Sequence, residues 1–412
     1  MDQGGEAGGL DSPYAWARLV AAIVIATAGG VSMWSVVVLL PAVQTGFGVD
    51  RATATIPYTL TMLGASLGQV AMGRFADRRG IRLPVLAGGA LMAAGYVASS
   101  YAHTIWQFAI IQGGMISLGG SVGFGPNVAD ISRWFHRRRG IAVSLAASGN
   151  YLAGTIWPPL IEHLIATHGW RTTQIILGLM CFALMVPAGL FLRRPAPAQP
   201  PHGQAHAHAR ASTPPIPLPP GVLQALLCIA GVACCVAMAT PQAHIVAYCG
   251  DLGYGAARGA DMLALMMGFG IISRIGSGFL ADRLGGLAAL LLGSVLQLVA
   301  LLLYLNFSGL SALYIISGLF GLFQGGLVPS YAIIVREQFP ARDAGTRFGM
   351  TVMATMMGMA LGGWLSGVIY DATGSYHAAF ADGVGWNLLN MSIALTLIIL
   401  ARQGRKRRMV AA

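Results

Sequence analysis

The chain has 412 residues, of which 56% are hydrophobic and 9% charged, and its mean hydropathy is +0.67. Soluble domains carry roughly 25% charged residues, so an ordinary soluble globular protein is excluded. The net charge of +11 does not point to nucleic acid, because the arginines lie in short segments between apolar runs with no basic face or aromatic platform.

Residues 1–16 are polar and carry acids, so they do not read as the basic head of a cleavable leader. They are expected to form a cytoplasmic N-terminal tail. Apolar runs follow at 17–41, 52–73, 82–101, 104–130, 140–165 and 172–193. Six more follow at 221–249, 258–281, 286–306, 309–336, 344–370 and 378–401. Each is long enough to cross ~30 Å of hydrocarbon as a helix. The predicted fold class is therefore an all-α polytopic membrane protein. It has twelve transmembrane helices in two pseudo-symmetric six-helix halves, 17–193 and 221–401.

The octapeptide Gly-Arg-Phe-Ala-Asp-Arg-Arg-Gly at 73–80 returns as Gly-Phe-Leu-Ala-Asp-Arg-Leu-Gly at 278–285, an offset of 205 residues. Both copies sit between apolar runs, which points to internal duplication. Membrane transporters are commonly built from such repeats, with the substrate path between them.

Loop charge sets the expected orientation. Loops after even-numbered spans carry Arg74, Arg78, Arg79 and Arg82, the Arg133–Arg139 cluster, Arg193, Arg194, Arg283 and Arg336. The opposite loops hold Asp50 and Arg51, His103, Glu162 and Arg171, Asp251 and Arg258, and Asp371 and Asp382. Both termini and the central loop are predicted to be cytoplasmic, in the cytoplasmic (inner) membrane. Residues 194–220 are Pro-rich and read as an extended linker, and 402–412 as a basic cytoplasmic tail. His202, His206 and His208 in the linker have no fixed scaffold, so no metal site is predicted. The five cysteines lie in or beside apolar runs without paired spacing, which indicates neither a disulfide framework nor zinc.

The 73–80 segment resembles the loop signature of the major facilitator superfamily, and 278–285 its weaker second copy. The resemblance implies a major facilitator fold, with Gly73, Asp77, Arg78, Gly80, Gly278, Asp282 and Arg283 in a gating cluster. Trp134-Phe135-His136-Arg137-Arg138-Arg139-Gly140, followed by Ala147-Ser148-Gly149, is similar to the segment leading into the fifth helix of monocarboxylate porters. His244 to Gly253 and Gly270-Ile271-Ile272-Ser273-Arg274 resemble the seventh and eighth helices of that family and of oxalate/formate-type porters. The likeness implies that Arg274 binds substrate carboxylate. The chain departs from the animal porters at two places. Gly270 stands where they carry an acid, and the stretch Ala28–Trp34 holds neither the acid nor the lysine of their first-helix signature.

Arg274 lies in an otherwise apolar stretch, where a cation needs a partner or a water-filled cavity. A bidentate guanidinium fork suits a carboxylate. His244 lies well inside a span and is a candidate for proton coupling or substrate hydrogen bonding, against a structural role. Trp34, Asn127 and Tyr331 are further candidate substrate-binding residues. Asn150, Gln324 and Asn390 read as interhelical hydrogen-bonding residues, and Tyr58 as a possible cavity wall. Shifting Arg274 back by the repeat offset lands on Gln69, so the position is cationic in one half and neutral in the other. No catalytic residues and no cofactor are predicted.

These features predict a secondary active transporter of small organic anions, monocarboxylates above all, working by alternating access with protons or a counter-anion. A single arginine in a neutral cavity favours a monoanion over a dianion. The alternatives are an efflux antiporter of other small molecules on the same fold, or a non-transporting membrane sensor. The expected partners are the small organic anion and the lipid bilayer, with the chain acting as a monomer.

Overall fold

The computed structural model describes residues 9–194 and 216–411. Residues 195–215 of the predicted linker, with its three histidines, and residues 1–8 fall outside them. Among the described residues the chain is helical throughout, with no strand. In hydrocarbon no water satisfies the backbone, so each apolar run closes its own i to i−4 bonds.

The first six-span set comprises α1 (Pro13–Phe47), α2 (Arg51–Arg79), α3 (Arg82–Ser100), a broken fourth span and α7 (Arg139–Phe191). The fourth span runs as α4 (Ile105–Ile111), a π-helical stretch (Gln112–Ser117), α5 (Leu118–Gly120), a 3-10 turn (Ser121–Gly123) and α6 (Gly125–Ile131). The long α7 is two spans, interrupted at Gly169 by φ 76° and ψ 159°. The second set comprises α8 (Pro220–Asp251), α9 (Ala256–Leu284), α10 (Gly286–Asn306), α11 (Leu310–Gln324), α12 (Leu327–Gln338), α13 (Ala341–Thr373) and α14 (Tyr376–Ala411). Here α11 and α12 are one span interrupted at Gly325–Gly326. By this count the described helices form twelve successive segments, and ten of the helices are long and apolar enough to cross a membrane.

Polar side chains cap the first two helices and set where they start. Ser12 accepts a bond from the N–H of Ala15 at 3.2 Å, with Pro13 in the first turn, so α1 starts before residue 17. Asp50 caps α2 through the N–H of Thr53 at 2.8 Å.

The offset of 205 residues also appears in the backbone. Gly80 (φ 73°, ψ 167°) and Gly285 (φ 82°, ψ 163°) close the two motif copies in the same conformation, one open essentially to glycine alone. The left-handed glycines Gly48 and Gly253, and Gly169 and Gly374, stand at the same offset. The breaks in the fourth and tenth spans also match, at Gly120 and Gly325.

Contacts divide the chain into two compact units. The first takes in the described residues up to 194 together with Ile245–Gly268, and the second takes in 216–244 and the chain from Phe269 onward. In the first unit α7 packs along α1 and α3. Gly29 lets α1 meet the fourth span, since a Cβ there would stand 2.6 Å from the carbonyl oxygen of Gly120. Trp170, Phe47 and Phe108 pack together at one end of this unit with Leu39, Val43 and Ile105. Arg171 stacks 4.4 Å from the Trp170 ring and donates to the carbonyls of Ser100 and Ala102, which end α3. At the other end Trp134, Phe135, Leu19 and Ala15 form a buried cluster, so the aromatic pair of the sequence motif is core.

Candidate substrate site

Arg274 sits on α9, half-buried, between the buried Ser273 and the exposed Ile275. Directly beside it the tenth span breaks. A Cβ on Gly325 would lie 2.6 Å from the carbonyl oxygen of Gly270 and 2.7 Å from Cβ of Ser273, so glycine lets the break rest on α9 one residue from the arginine. Interrupted helices at membrane depth occur where the backbone is buried in protein or lines a cavity, and transporters place binding sites there.

Other buried polar groups of the second unit bond to one another across its helices. Gln242, on α8 just after Pro241, donates through Nε2 to Oε1 of Gln324 at 2.9 Å, and both side chains are buried. Tyr331 donates to Oδ1 of Asn390 at 3.0 Å, and Nδ2 of Asn390 donates to Oγ of Ser294 at 2.7 Å. Asn387 adds a bond to the Ser294 carbonyl at 2.9 Å. Tyr331 and Asn390 thus join α12, α14 and α10, an interhelical seam of the kind that fixes membrane helices.

His244 is buried on α8 with both ring nitrogens engaged. Nε2 lies 2.8 Å from the carbonyl oxygen of Gly363, and Nδ1 lies 2.8 Å from the hydroxyl of Tyr376. A carbonyl only accepts, so Nε2 carries a hydrogen; in a neutral ring Nδ1 then accepts from the Tyr376 hydroxyl. A second ring proton would require the Tyr376 hydroxyl to turn from donor to acceptor.

The remaining candidates lie in the first unit. Trp34 is buried and donates through Nε1 to the Asn150 carbonyl at 3.2 Å. Asn127 donates through Nδ2 to the carbonyls of Ala22 (2.7 Å) and Gly123 (3.2 Å), bridging α1 to the fourth span. Tyr58 is buried on α2. Gln69, the repeat counterpart of Arg274, is half-buried against Gly125. The structure therefore sets Gln324, bonded to Gln242, next to the glycine that rests on Ser273, the residue before Arg274. Trp34, Asn127, Tyr331 and His244 bond to protein groups in the bundle.

In the motif copies, Asp77 and Arg78 are exposed on the last turns of α2, and Asp77 forms no ion pair with a described residue. Arg283 is exposed at the end of α9, and the side-chain surroundings of Gly278 and Asp282 fall outside the described residues.

Two ion pairs escaped the sequence reading. Arg18 on α1 donates through Nε to Asp130 at 2.9 Å, with side-chain exposures of 2% and 5%, and its guanidinium lies 4.5 Å from the Trp134 ring. The signal was an arginine just inside a membrane span, a position that requires a partner. Arg51 on α2 and Asp251 on α8 form a bidentate pair, NH1 to Oδ2 at 3.2 Å and NH2 to Oδ1 at 3.1 Å. Asp251 belongs to the second set of spans in sequence but to the first unit by contact. No local pattern announces a pair 200 residues apart.

The family model described as Major Facilitator Superfamily matches residues 21–311 and 277–408. Monocarboxylate transporter 13 of Bos taurus is 27% identical over 347 residues, covering 84% of this chain and 79% of that one. The uncharacterized MFS-type transporter YcxA of Bacillus subtilis is 25% identical over 348 residues, covering 80% and 82%. Among solved structures, a peptide transporter POT in complex with sulfate superposes with TM-score 0.73 at 14% identity, covering 94% of each chain. A bacterial homolog of the human lysosomal transporter Spinster, inward-facing and unoccupied, gives 0.69 at 13%, covering 95% and 96%. At these identities the structural likeness shows the fold.

Proposed function

Since the chain belongs to the Major Facilitator Superfamily, we propose that it is a secondary transporter of small organic anions, with monocarboxylates as the substrate class. The observation that carries this reading is Arg274, a cation in an apolar segment beside the break of the tenth span. Its guanidinium offers two parallel N–H donors to a carboxylate. A substrate monoanion neutralises it at lower desolvation cost than a dianion. The monocarboxylate name of a relative over most of its length supports the same class.

Transport proceeds by alternating access about this site, driven by a proton gradient or by exchange for a second anion. The Arg51–Asp251 pair supports such a cycle, because it fastens a helix of the second set to one of the first. Both termini and the linker lie on the cytoplasmic side of the membrane, a reading that the arginine-rich loops support. The motif clusters around Gly73–Gly80 and Gly278–Gly285 act on that side in gating. The chain works as a monomer.

The test is uptake of labelled mono- and dicarboxylates into proteoliposomes, with and without a pH gradient. Wild-type protein should accumulate monocarboxylates, and Arg274→Ala should lower uptake by roughly a hundredfold or more, the scale of a lost charge-assisted bidentate contact. Normal uptake by Arg274→Ala sinks the reading. Unchanged gradient-driven accumulation by His244→Ala removes that residue as a proton carrier.

A further inference from the structure

We propose that Gln324, held in place by Gln242, is a specificity-determining residue whose side-chain amide hydrogen-bonds a neutral oxygen of the transported anion away from its carboxylate. That oxygen is a keto, hydroxyl or amide oxygen. The proposal rests on the anion-transport reading above and adds to it a second point of recognition.

Four observations lead to it. Gln324 is 1% exposed, and its Nε2 has no hydrogen-bond partner among the described residues. Exchanging O and N in both amides does not remove the vacancy. It reverses the bond between the two glutamines and leaves the other amide atom of Gln324 without a partner. Gln324 is also the last residue of α11 before the break, and the next residue, Gly325, rests on Gly270 and Ser273. Arg274 follows Ser273 in sequence, so the orphan amide and the cation flank one crossing of two helices. Finally, Gln242 follows Pro241, which lacks the N–H that would bond the carbonyl of Ala237, so the anchoring amide also sits at an irregular turn.

A purely bracing role would not call for this arrangement. Two facing apolar side chains would pack α8 against α11 without a buried donor left unmade. With Nε2 spare, the amide suits a ligand that supplies a carbonyl or hydroxyl oxygen as acceptor; in the exchanged orientation Oε1 is spare and suits a hydroxyl that donates. A site built to hydrogen-bond a substrate oxygen rejects an analogue lacking it far better than an apolar pocket does.

The test compares matched acids of equal chain length, with an oxygen at C2, C3 or C4 or with none, as substrates and as competitors in proteoliposome uptake. Wild-type protein should prefer at least one oxygenated acid over its unsubstituted partner by roughly five- to hundredfold in KM, the scale of satisfying one buried polar group. Gln324→Met, near-isosteric and apolar, should bring that ratio close to one, and because the ratio compares two acids on the same variant, a change common to both cancels. Gln242→Met should lower the same ratio in the same direction by releasing the anchor, and it decides the matter if Gln324→Met is not recovered folded. A parallel loss for both kinds of acid, or an unchanged ratio, overturns the proposal in favour of a structural brace. Wild-type protein that transports carboxylates without preferring any oxygenated member overturns it too, with the transport reading intact. Wild-type protein that moves no carboxylate overturns both, and the wild-type control alone reveals that outcome.

Discussion

Asp251→Asn should loosen the end of the first unit where α2 begins and α8 ends. The substitution keeps the shape and removes the charge from a bidentate pair with N–O distances of 3.1 and 3.2 Å. The arginine side chain is 7% exposed and the aspartate 31%, so the pair lies between two regimes. Exposed pairs contribute about 0–1 kcal/mol, and removing one member of a buried pair costs about 3–5 kcal/mol. Helix dipoles act against both groups. Arg51 occupies the first position of α2, where positive charge is unfavourable, and Asp251 the last of α8, where negative charge is unfavourable. Asp251→Asn relieves one of these, about 0.3–1 kcal/mol. The net cost is about 2 kcal/mol, or roughly a thirtyfold rise in local opening. Hydrogen–deuterium exchange of the amides around 50–56 and 248–254 should report it. The swap Arg51→Asp with Asp251→Arg restores the pair and reverses both dipole terms, so it should protect these amides at least as well as wild type. Unchanged exchange in Asp251→Asn, or a swap no better protected than the single variant, would show that the pair contributes nothing.

Three further outcomes follow from the same structure. Arg18→Ala leaves the Asp130 carboxylate buried with only a 3.6 Å contact to Arg133, and it should destabilise the protein by about 3–5 kcal/mol. Arg18→Met with Asp130→Leu should recover most of that loss, as read by thermal unfolding in detergent; a double variant as unstable as the single contradicts the ion-pair account. Gly285→Ala forces a Cβ into φ 82°, ψ 163° and should cost about 1–3 kcal/mol, with Gly80→Ala similar; melting temperatures equal to wild type would refute the backbone argument. Acid should weaken two attachments. Burial pushes the Asp11 carboxyl up, but the N–H groups of Arg137, His136 and Arg138 and the charge of His136 outweigh it and hold the group below 3.8. The side chain and N–H of Thr53 hold Asp50 below 3.8 as well. For a depressed acid the stabilisation is complete above the unfolded value and fades as pH falls through the folded one. Unfolding should therefore steepen below pH 3.8, and Asp11→Asn with Asp50→Asn should flatten that limb; an unaltered limb would count against both bonds.

Much of the site was legible one residue at a time. An arginine in an apolar run must find a partner or water, so Arg274 stood out without any structure. His244, Trp34, Asn127 and Tyr331 were legible as polar groups in spans, but their partners were not. Apart from the bond of Asn127 to Gly123 within its own span, these bonds join residues on different helices, from 59 residues apart for Tyr331 and Asn390 to 132 for His244 and Tyr376. Gln324 read as one more interhelical amide. Its special position appears only when Gly325 is seen resting on α9.

The sequence by itself determined the class of molecule, the number and course of its spans, and the duplication. These follow from local terms: twenty-residue apolar runs close their own hydrogen bonds in lipid, and glycine occupies the positive-φ turns at 80 and 285. The pairing of Arg51 with Asp251, the burial of Arg18 against Asp130, the bond of Gln242 to Gln324 and the packing of Gly325 on Ser273 were decided by tertiary structure alone. In a chain this apolar, many faces can pack equally well against lipid or protein. Which polar groups meet is set by where small residues let helices touch, and those contacts join positions whose separation in sequence carries no local signal.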